Sequence, residues 1–272
     1  MSVPNLRMNN GKTIPQIGFG LWRVTDKKEC IDSIEWALEA GYRHFDDAQA
    51  YENEQYLGEV VRNSKIPRDE LFITTKIRTA NLASDDVVPT FEESLKKLQM
   101  DYVDLLLIHF PVTETRAGAW KRLEELHGAG KAKSIGVSNY MVKHLEELLA
   151  NCKVKPVVNQ IELSVGLQMP EVVEFCKKND IIVEAYTPLA EGNYFDDPTL
   201  KTIAEKHNKS VAQVMLRWCV DYGTVPLVKS VHQDRIKSNL DIFDFKLDAD
   251  DMAKIKAMDE NHRTNWDPTN VE

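Results

Sequence analysis

What the sequence lacks narrows it first. Its four cysteines, Cys30, Cys152, Cys176 and Cys219, lie far apart, with no CxxC pair and no histidine at metal-ligand spacing. A disulfide framework is therefore not expected, and neither is a zinc site or any other metal site. Reduced, packed thiols of a cytosolic protein are the expectation. No apolar run approaches the roughly 18 residues that a membrane span requires. The N-terminal MSVPNLRMNNGK has no apolar core segment and no small-residue cleavage site, so a cytoplasmic location is expected.

Basic residues are in deficit: 34 Lys and Arg stand against 43 Asp and Glu, for a net charge of −9. A nucleic-acid partner calls for a basic excess or stripe, and neither is present. Any anionic ligand must be held by local cations working against the global charge. No Pro/Ser-rich linker, low-complexity tract or break in composition divides the chain, so residues 1–272 are read as one domain. No heptads are present, and a monomer is expected. Phosphate-binding glycine patterns are missing too. Gly18-Phe19-Gly20 is a lone GxG. Gly128-Ala129-Gly130-Lys131 lacks both the first Gly and the Ser/Thr of a P-loop, and reads instead as the C-terminal cap of a helix.

What is present is an alternation. Short β-rich runs recur at Gln16–Gly20, Tyr42–Asp46, Leu71–Lys76, Val103–His109, Ser134–Val137, Val157–Gln160, Ile181–Tyr186 and Val225–Lys229. VDLLLIH and IIVEAY read as nearly continuous apolar runs, the pattern of strands covered on both faces. Amphipathic stretches fill the intervals. CIDSIEWALEAG closes on Gly41, and VAQVMLRWCVDYG opens after Ser210, a natural N-cap. Alternating β and α elements imply a parallel sheet. Eight of them in a chain of this length predict an α/β fold of the closed (β/α)₈ barrel kind, which takes roughly 250 residues. LRMNNGKTIP predicts a β-hairpin before the first strand, with Asn10-Gly11 at its turn, covering one barrel end.

In such a barrel the working groups project from the C-terminal strand ends. The second strand ends at Asp46, the third at Lys76 and the fourth at His109. The fifth runs into Ser138-Asn139, and the sixth ends at Gln160. The seventh ends at Tyr186 and the eighth at Lys229-Ser230. Tyr51 follows Asp46 within loop reach. A free Tyr hydroxyl, with a pKa of about 10, is a poor acid near neutrality. The Lys76 ammonium would lower that value, and Asp46 would keep Lys76 charged. His109 would hold a substrate oxygen. Such a quartet suits hydride addition to a carbonyl, where an alkoxide develops and takes a proton. Taken singly, each residue has a plain structural role open to it: a buried ion pair, a core histidine, a packed loop aromatic.

These residues carry a resemblance. GYRHFDDAQAYENEQYLG, ITTKI, LLIHFP and LVKSVHQDRIKSN resemble, in order, signatures of the aldo-keto reductases, and IGVSNY, VVNQIELS and EAYTPL resemble further segments of that family. The resemblance implies an NADPH/NADP+-linked reductase of carbonyl compounds. It implies a catalytic tetrad of Asp46, Tyr51, Lys76 and His109, with Tyr51 the proton donor. It assigns Ser138, Asn139 and Gln160 to the nicotinamide carboxamide, Tyr186 to the nicotinamide ring, and Thr187 and Leu189 to the pyrophosphate. Lys229, Ser230 and Arg235 would clamp the 2′-phosphate with charge-assisted bonds, and Asn239 would meet the adenine. Gly20, Leu21, Asp46 and Val231 complete the implied cofactor contacts. Trp22, Tyr51, His109 and Phe110 would line the substrate pocket.

Departures from the family pattern are Asp47 in place of Ser or Thr, Phe110 in place of Trp, ELSVGLQ after the sixth strand, and Ser238 in place of Glu. Asp47 would set a second carboxylate beside Asp46, opposing the effect of Lys76 on Tyr51. Loops after the fourth and seventh strands, and the tail after Met258, are short. They look like those of microbial 2,5-diketo-D-gluconate reductases, which implies small polar carbonyl substrates: simple aldehydes, α-dicarbonyls or keto-sugar acids. The alternative is a barrel that binds NADPH as a sensor or structural protein without turnover.

Overall fold

The structure, a computed structural model, describes residues 3–272. Two strands, β1 (Asn5–Arg7) and β2 (Thr13–Pro15), pair as an antiparallel hairpin. Eight more form a closed parallel barrel: β3 (Gly18–Gly20), β4 (His44–Asp46), β5 (Phe72–Ile77), β6 (Leu105–Ile108), β7 (Ile135–Ser138), β8 (Val158–Glu162), β9 (Ile182–Tyr186) and β10 (Val225–Val228). Strands adjacent in sequence are adjacent in space, and β10 pairs with β3 to close the ring. Each barrel strand falls on one of the eight β-rich runs.

The helices are α1 (Lys27–Ala40), α2 (Glu54–Asn63), α3 (Ser84–Leu98), α4 (Arg116–Gly128), α5 (Val142–Asn151), α6 (Pro170–Lys178), α7 (Pro198–His207), α8 (Val211–Asp221), α9 (Gln233–Leu240) and α10 (Ala249–Lys256). Their ends follow the sequence signals. Asp26 caps α1 by accepting from Glu29 N at 2.9 Å, and Gly41 ends it at φ 112°, a left-handed conformation open to Gly. Ser210 and Gln213 form a reciprocal capping box at α8. The glycine-rich Gly128–Lys131 stretch is the end of α4. The long interval between β9 and β10 holds two helices, α7 and α8, where the sequence signalled only the second.

The hairpin turn is a three-residue loop. Met8 and Lys12 pair across it, Gly11 N donates to Met8 O at 3.0 Å, and Gly11 sits at φ 84°. Met8 and Ile14 are buried against Phe72, Leu105, Leu107, Val157 and Val158, near the N-terminal strand ends. The hairpin therefore floors the barrel with apolar side chains. Burying a residue such as Ile14 contributes roughly 1.5–3 kcal/mol. With that end sealed, the opposite end is left to build a site. Among the described residues, no helix is long and apolar enough to cross a membrane.

The helical layer has its own tight point at Gly58 on α2. A Cβ there would collide with the backbone of Leu98 at the end of α3, whose Cα would lie only 2.7 Å away. Backbone cannot swing aside as a side-chain tip can, so α2 and α3 touch only because residue 58 is Gly. Gly58→Ala is expected to lower stability by about 1–3 kcal/mol. An unchanged urea midpoint would show that the contact is looser than this.

Candidate active site

At the C-terminal strand ends the chain folds around Lys76. Its side chain is fully buried, and an ammonium has three donors and no acceptor. All three are used: Lys76 Nζ donates to Asp46 Oδ2 at 2.6 Å, to the main-chain oxygen of Asp47 at 3.0 Å and to Tyr51 Oη at 3.1 Å. Burial alone would pull the ammonium's pKa down. The Asp46 carboxylate, then Tyr51, overcome that, and the net shift is upward. Lys76 stays charged.

Tyr51 ends a short 3₁₀ turn, Gln49–Tyr51, just past β4. Gln49 pins that turn: its Oε1 accepts from Arg78 N at 2.8 Å and Asn81 Nδ2 at 3.0 Å, and its Nε2 donates to Ser94 Oγ at 3.1 Å. Because Lys76 donates to Tyr51 Oη, the phenolic hydrogen is free to point elsewhere. Tyr51 lines the cavity described below. The expected drop in its pKa is not the net result. Burial dominates and pushes Tyr51 up to about 12, with Lys76 opposing and Asp46 adding. The hydroxyl is thus held in its protonated form, with the Lys76 ammonium 3.1 Å from its oxygen.

Asp47 opposes Lys76 at Tyr51 as the sequence suggested, but it is the smallest of the influences there. Its side chain is fully buried, does not line the cavity, and accepts from Ala48 N at 2.7 Å through Oδ1. Burial first, then the negative charge of Glu54, raise its carboxyl well above the usual range. That favours the neutral form and removes most of the expected opposition to Lys76. Asp47 contributes its main-chain oxygen instead.

His109 sits just past β6, its imidazole without a hydrogen-bond partner among the described residues, its ring edge toward Tyr51 at a centroid distance of 5.8 Å. Burial, then the charge of Lys76, lower its pKa to about 3. Asn139, at φ 65°, donates to His109 O at 3.0 Å and to Ser138 Oγ at 3.1 Å, while its Oδ1 accepts from Tyr186 Oη at 2.8 Å. Ser138 Oγ donates to Gln160 O at 2.8 Å. Gln160 Nε2 donates to Asp46 Oδ1 and to Glu184 Oε2, each at 2.8 Å. Every expected strand-end residue from Asp46 to Tyr186 is thus joined to a neighbour.

A cavity of about 810 Å³ opens over this cluster. Gly20, Trp22, Asp46, Tyr51, His109, Phe110, Ser138, Asn139, Gln160, Tyr186, Thr187, Leu189 and Lys229 line it. Leu21 does not; its side chain is buried in the core, and only its backbone, donating to Asp46 O at 3.1 Å, serves the site. Ser230, Val231, Arg235 and Asn239 lie outside the cavity wall, around the start of α9 and along it. Among the described residues, Lys229 and Arg235 make no ion pair, and both are exposed. Thr187, a β-branched residue, is held at φ 53°, and Ala190 and Glu191 follow at φ 46° and 54°. Such conformations cost of order 1–3 kcal/mol each and collect at functional loops.

Some cavity residues were not foreseen. Asn265 and Trp266 come from the tail, and the Trp266 ring lies on Phe110 at a centroid distance of 3.6 Å. The tail is tied down by Glu162, whose Oε1 accepts from Thr264 N at 2.6 Å and Thr264 Oγ1 at 2.7 Å. Asn265 Nδ2 donates to Thr187 Oγ1 at 3.0 Å. Arg23 and Glu191 pair at 3.3 Å across the cleft mouth. A lone Trp in the polar TNWDP stretch was the available signal for the tail.

A barrel that brings a tyrosine hydroxyl, a buried ammonium and a histidine to one cavity suits an oxidoreductase, and comparisons with known proteins agree on that class. Residues 16–260 match the aldo/keto reductase family. The chain is 42% identical over 263 residues to glyoxal reductase of Bacillus subtilis, covering 97% of this chain and 95% of that protein. It is 40% identical over 270 residues to methylglyoxal reductase DkgA of Escherichia coli, covering 97% and 96%. An aldo-keto reductase of Bombyx mori, solved in complex with NADP, superposes with a TM-score of 0.91 at 36% identity, covering 97% of this chain and 95% of that one. The chain belongs to the aldo/keto reductase family, and it is an NADP-dependent oxidoreductase.

The residues present fit that cofactor. Gln160 has both N–H groups engaged and its Oε1 without a partner among the described residues, in the cavity wall. Lys229 in the cavity wall and Arg235 on α9 beyond it make no ion pair among the described residues, which leaves two cations for an anionic ligand. A Cβ built on Gly20 would meet nothing closer than 4.0 Å, which leaves room for a ligand against the backbone.

Burial fixes the charge state of His109 over the working range. A pKa of about 3 means a neutral ring at any pH well above that value. The imidazole ¹⁵N shifts of His109 are expected to stay constant between pH 8 and pH 5. A transition near the ordinary value of about 6.5 would show the ring to be wetter than the structure has it.

Proposed function

We propose that this chain reduces small polar carbonyl compounds to alcohols with NADPH, with Tyr51 as the proton donor. The observation that carries the reading is the arrangement around Lys76: three acceptors use its three donors, and one of them is Tyr51 Oη in the cavity wall. NADPH, when bound, would supply the hydride for the carbonyl carbon. His109, neutral and unpartnered, orients the carbonyl oxygen by donating to it. Tyr51 transfers its proton to that oxygen as negative charge develops there. Lys76, kept charged by Asp46, stabilises the phenolate left behind. General acid catalysis of this kind contributes typically 10²–10⁴-fold.

The cofactor contacts are proposed as follows. Ser138, Asn139 and Gln160 hold the carboxamide, and Tyr186 stacks on the ring. Gly20, Thr187 and Leu189 lie along the pyrophosphate, with Leu21 contributing through its backbone. Lys229, Ser230, Val231 and Arg235 receive the 2′-phosphate, and Asn239 meets the adenine. Two exposed cations without ion-pair partners among the described residues support this placement in a chain of net charge −9. Trp22, Phe110 and Trp266 wall the substrate side, with Arg78 at its edge. Trp22 and Trp266 remain about half exposed, so the substrate side is open to solvent rather than closed over by long loops. That supports small polar substrates such as α-dicarbonyls, simple aldehydes and keto-sugar acids, in line with the glyoxal and methylglyoxal reductases it resembles. The quartet is complete within one chain, so the proposed chemistry needs no second subunit, and the proposed form is a single-domain cytoplasmic monomer. A cofactor-binding module without turnover would have no use for a Tyr51 hydroxyl in the cavity wall with a buried ammonium donating to it.

Tyr51→Phe keeps the ring and removes the proton. It is expected to lower kcat by about 10²–10⁴-fold with methylglyoxal while leaving the NADPH dissociation constant within about twofold of wild type. Wild-type turnover in this variant would end Tyr51's assignment. The phosphate clamp is tested separately. Lys229→Ala or Arg235→Ala is expected to weaken NADPH by about tenfold or more, and NADH little, because a charge-assisted bond contributes about 1.5–3 kcal/mol. Equal losses for the two cofactors would remove the clamp.

A further inference from the structure

Glu184 is a fully buried acid in the middle of β9 that the chemistry above does not use. It does not line the cavity. Its register partner on β8 is Gln160, so the two side chains project side by side into the barrel interior. Glu184 Oε2 accepts from Gln160 Nε2 at 2.8 Å. On its other side, Glu184 Oε1 lies 3.4 Å from His44 Nε2, which is itself 3.3 Å from Thr74 Oγ1. An apolar side chain of similar volume would fill this space without a buried acid, whose desolvation is costly. Packing alone does not call for Glu here.

We infer that Glu184 is a positioning residue that fixes which end of the Gln160 amide faces the nicotinamide carboxamide. The inference rests on the proposed placement of the carboxamide against Gln160. An amide nitrogen has two hydrogens, and Gln160 gives one to Asp46 Oδ1 and the other to Glu184 Oε2. Only its acceptor, Oε1, is left for the cavity. Flipping the amide would set Oε1 against two carboxyl oxygens and turn the donors outward. Asp46 alone resists that flip with one bond; Glu184 supplies the second. Burial, then the charge of Asp46, raise the Glu184 carboxyl to about 8. With its proton on Oε1, toward His44 Nε2, a neutral Glu184 offers Gln160 the same acceptor, Oε2, that the carboxylate does. The consequence is chemical selectivity: the site accepts a hydrogen from the carboxamide NH₂ and offers none at that point.

The test compares binding of NADP+ with binding of its 3-acetylpyridine analogue, whose methyl group replaces the carboxamide NH₂. Dissociation constants are read by fluorescence quenching, without turnover. Wild type is expected to prefer NADP+ by about tenfold, the worth of one hydrogen bond. Glu184→Leu is expected to bring that ratio toward one, chiefly through weaker NADP+ binding. Glu184→Gln still offers an acceptor oxygen and is expected to keep the wild-type ratio. If the Leu variant does not fold, Glu184→Met, unbranched and close to Glu in length, carries the same expectation. An unchanged ratio in the Leu or Met variant, or an equal loss for both ligands, would overturn the role of Glu184 while leaving Gln160 in place. A wild type that shows no preference would instead overturn the placement of the carboxamide on Gln160, and this inference with it.

Discussion

The site depends on one buried ammonium. Moving a charge of that size out of water carries an effective penalty of several kcal/mol, even after the protein relaxes. Lys76 meets it with three acceptors in fixed directions, and each acceptor constrains a different piece of chain. Asp46 must end β4 in register beside Thr74 on β5. The carbonyl of Asp47 must turn inward as the strand leaves the barrel. Tyr51 must return over the top on a short helical turn held by Gln49. Removing any one acceptor would leave a donor of a buried cation unpaired, so the loop from Asp46 to Tyr51 has little freedom to be anything else.

From that centre a polar network runs down the barrel interior, from Asp46 at the C-terminal end of β4 through Gln160 and Glu184 to His44 at its start, beside Phe72. The N-terminal end is filled with Phe72, Leu105, Leu107 and Val158 under the hairpin. This arrangement has a physical reason. A polar network inside a barrel is tolerable only if nearly every member is satisfied, and the apolar floor keeps water from competing at its base. Two orphaned atoms, Asp47 Oδ2 and Glu184 Oε1, belong to carboxyl groups that burial drives toward the neutral state, and a third, His44 Nδ1, belongs to a ring that burial keeps neutral. A neutral carboxyl leaves a smaller penalty for a missing partner than a carboxylate does.

How much of this was legible in the sequence follows from which interactions are local. A strand buried on both faces announces itself by its composition, and a polar residue at its end is read off the same few positions. That is why Asp46, Lys76, His109, Gln160 and Tyr186 could be named, and why all eight strands lay where the β-rich runs placed them. Glu184 carried a signal that was easy to pass over: one acid inside the apolar run IIVEAY. Its meaning needed the register with Gln160, which sequence does not supply. Trp266 was further out of reach, since its contact with Phe110 depends on how Glu162 holds a polar tail. The direction of the Tyr51 shift was also misjudged, because proximity to Lys76 can be read from neighbouring strand ends but the depth of burial cannot.

The tail and the loops then shape the mouth of the site. Short connections after β6 and β9 leave the cavity mouth wide, and the chain narrows it with few contacts: Arg23 to Glu191 across the cleft, and Trp266 laid on Phe110. An exposed ion pair of this kind contributes about 0–1 kcal/mol and is easily broken and remade. By contrast, the backbone beneath it is strained at Thr187, Ala190 and Glu191 and tied to the tail through Asn265. The mouth is therefore weakly latched over a rigid floor. A cofactor lying along that floor would meet prearranged donors and acceptors, while a small substrate would pass through an opening whose closure costs little to undo. Rigidity sits where geometry decides the chemistry, and looseness sits where ligands must come and go.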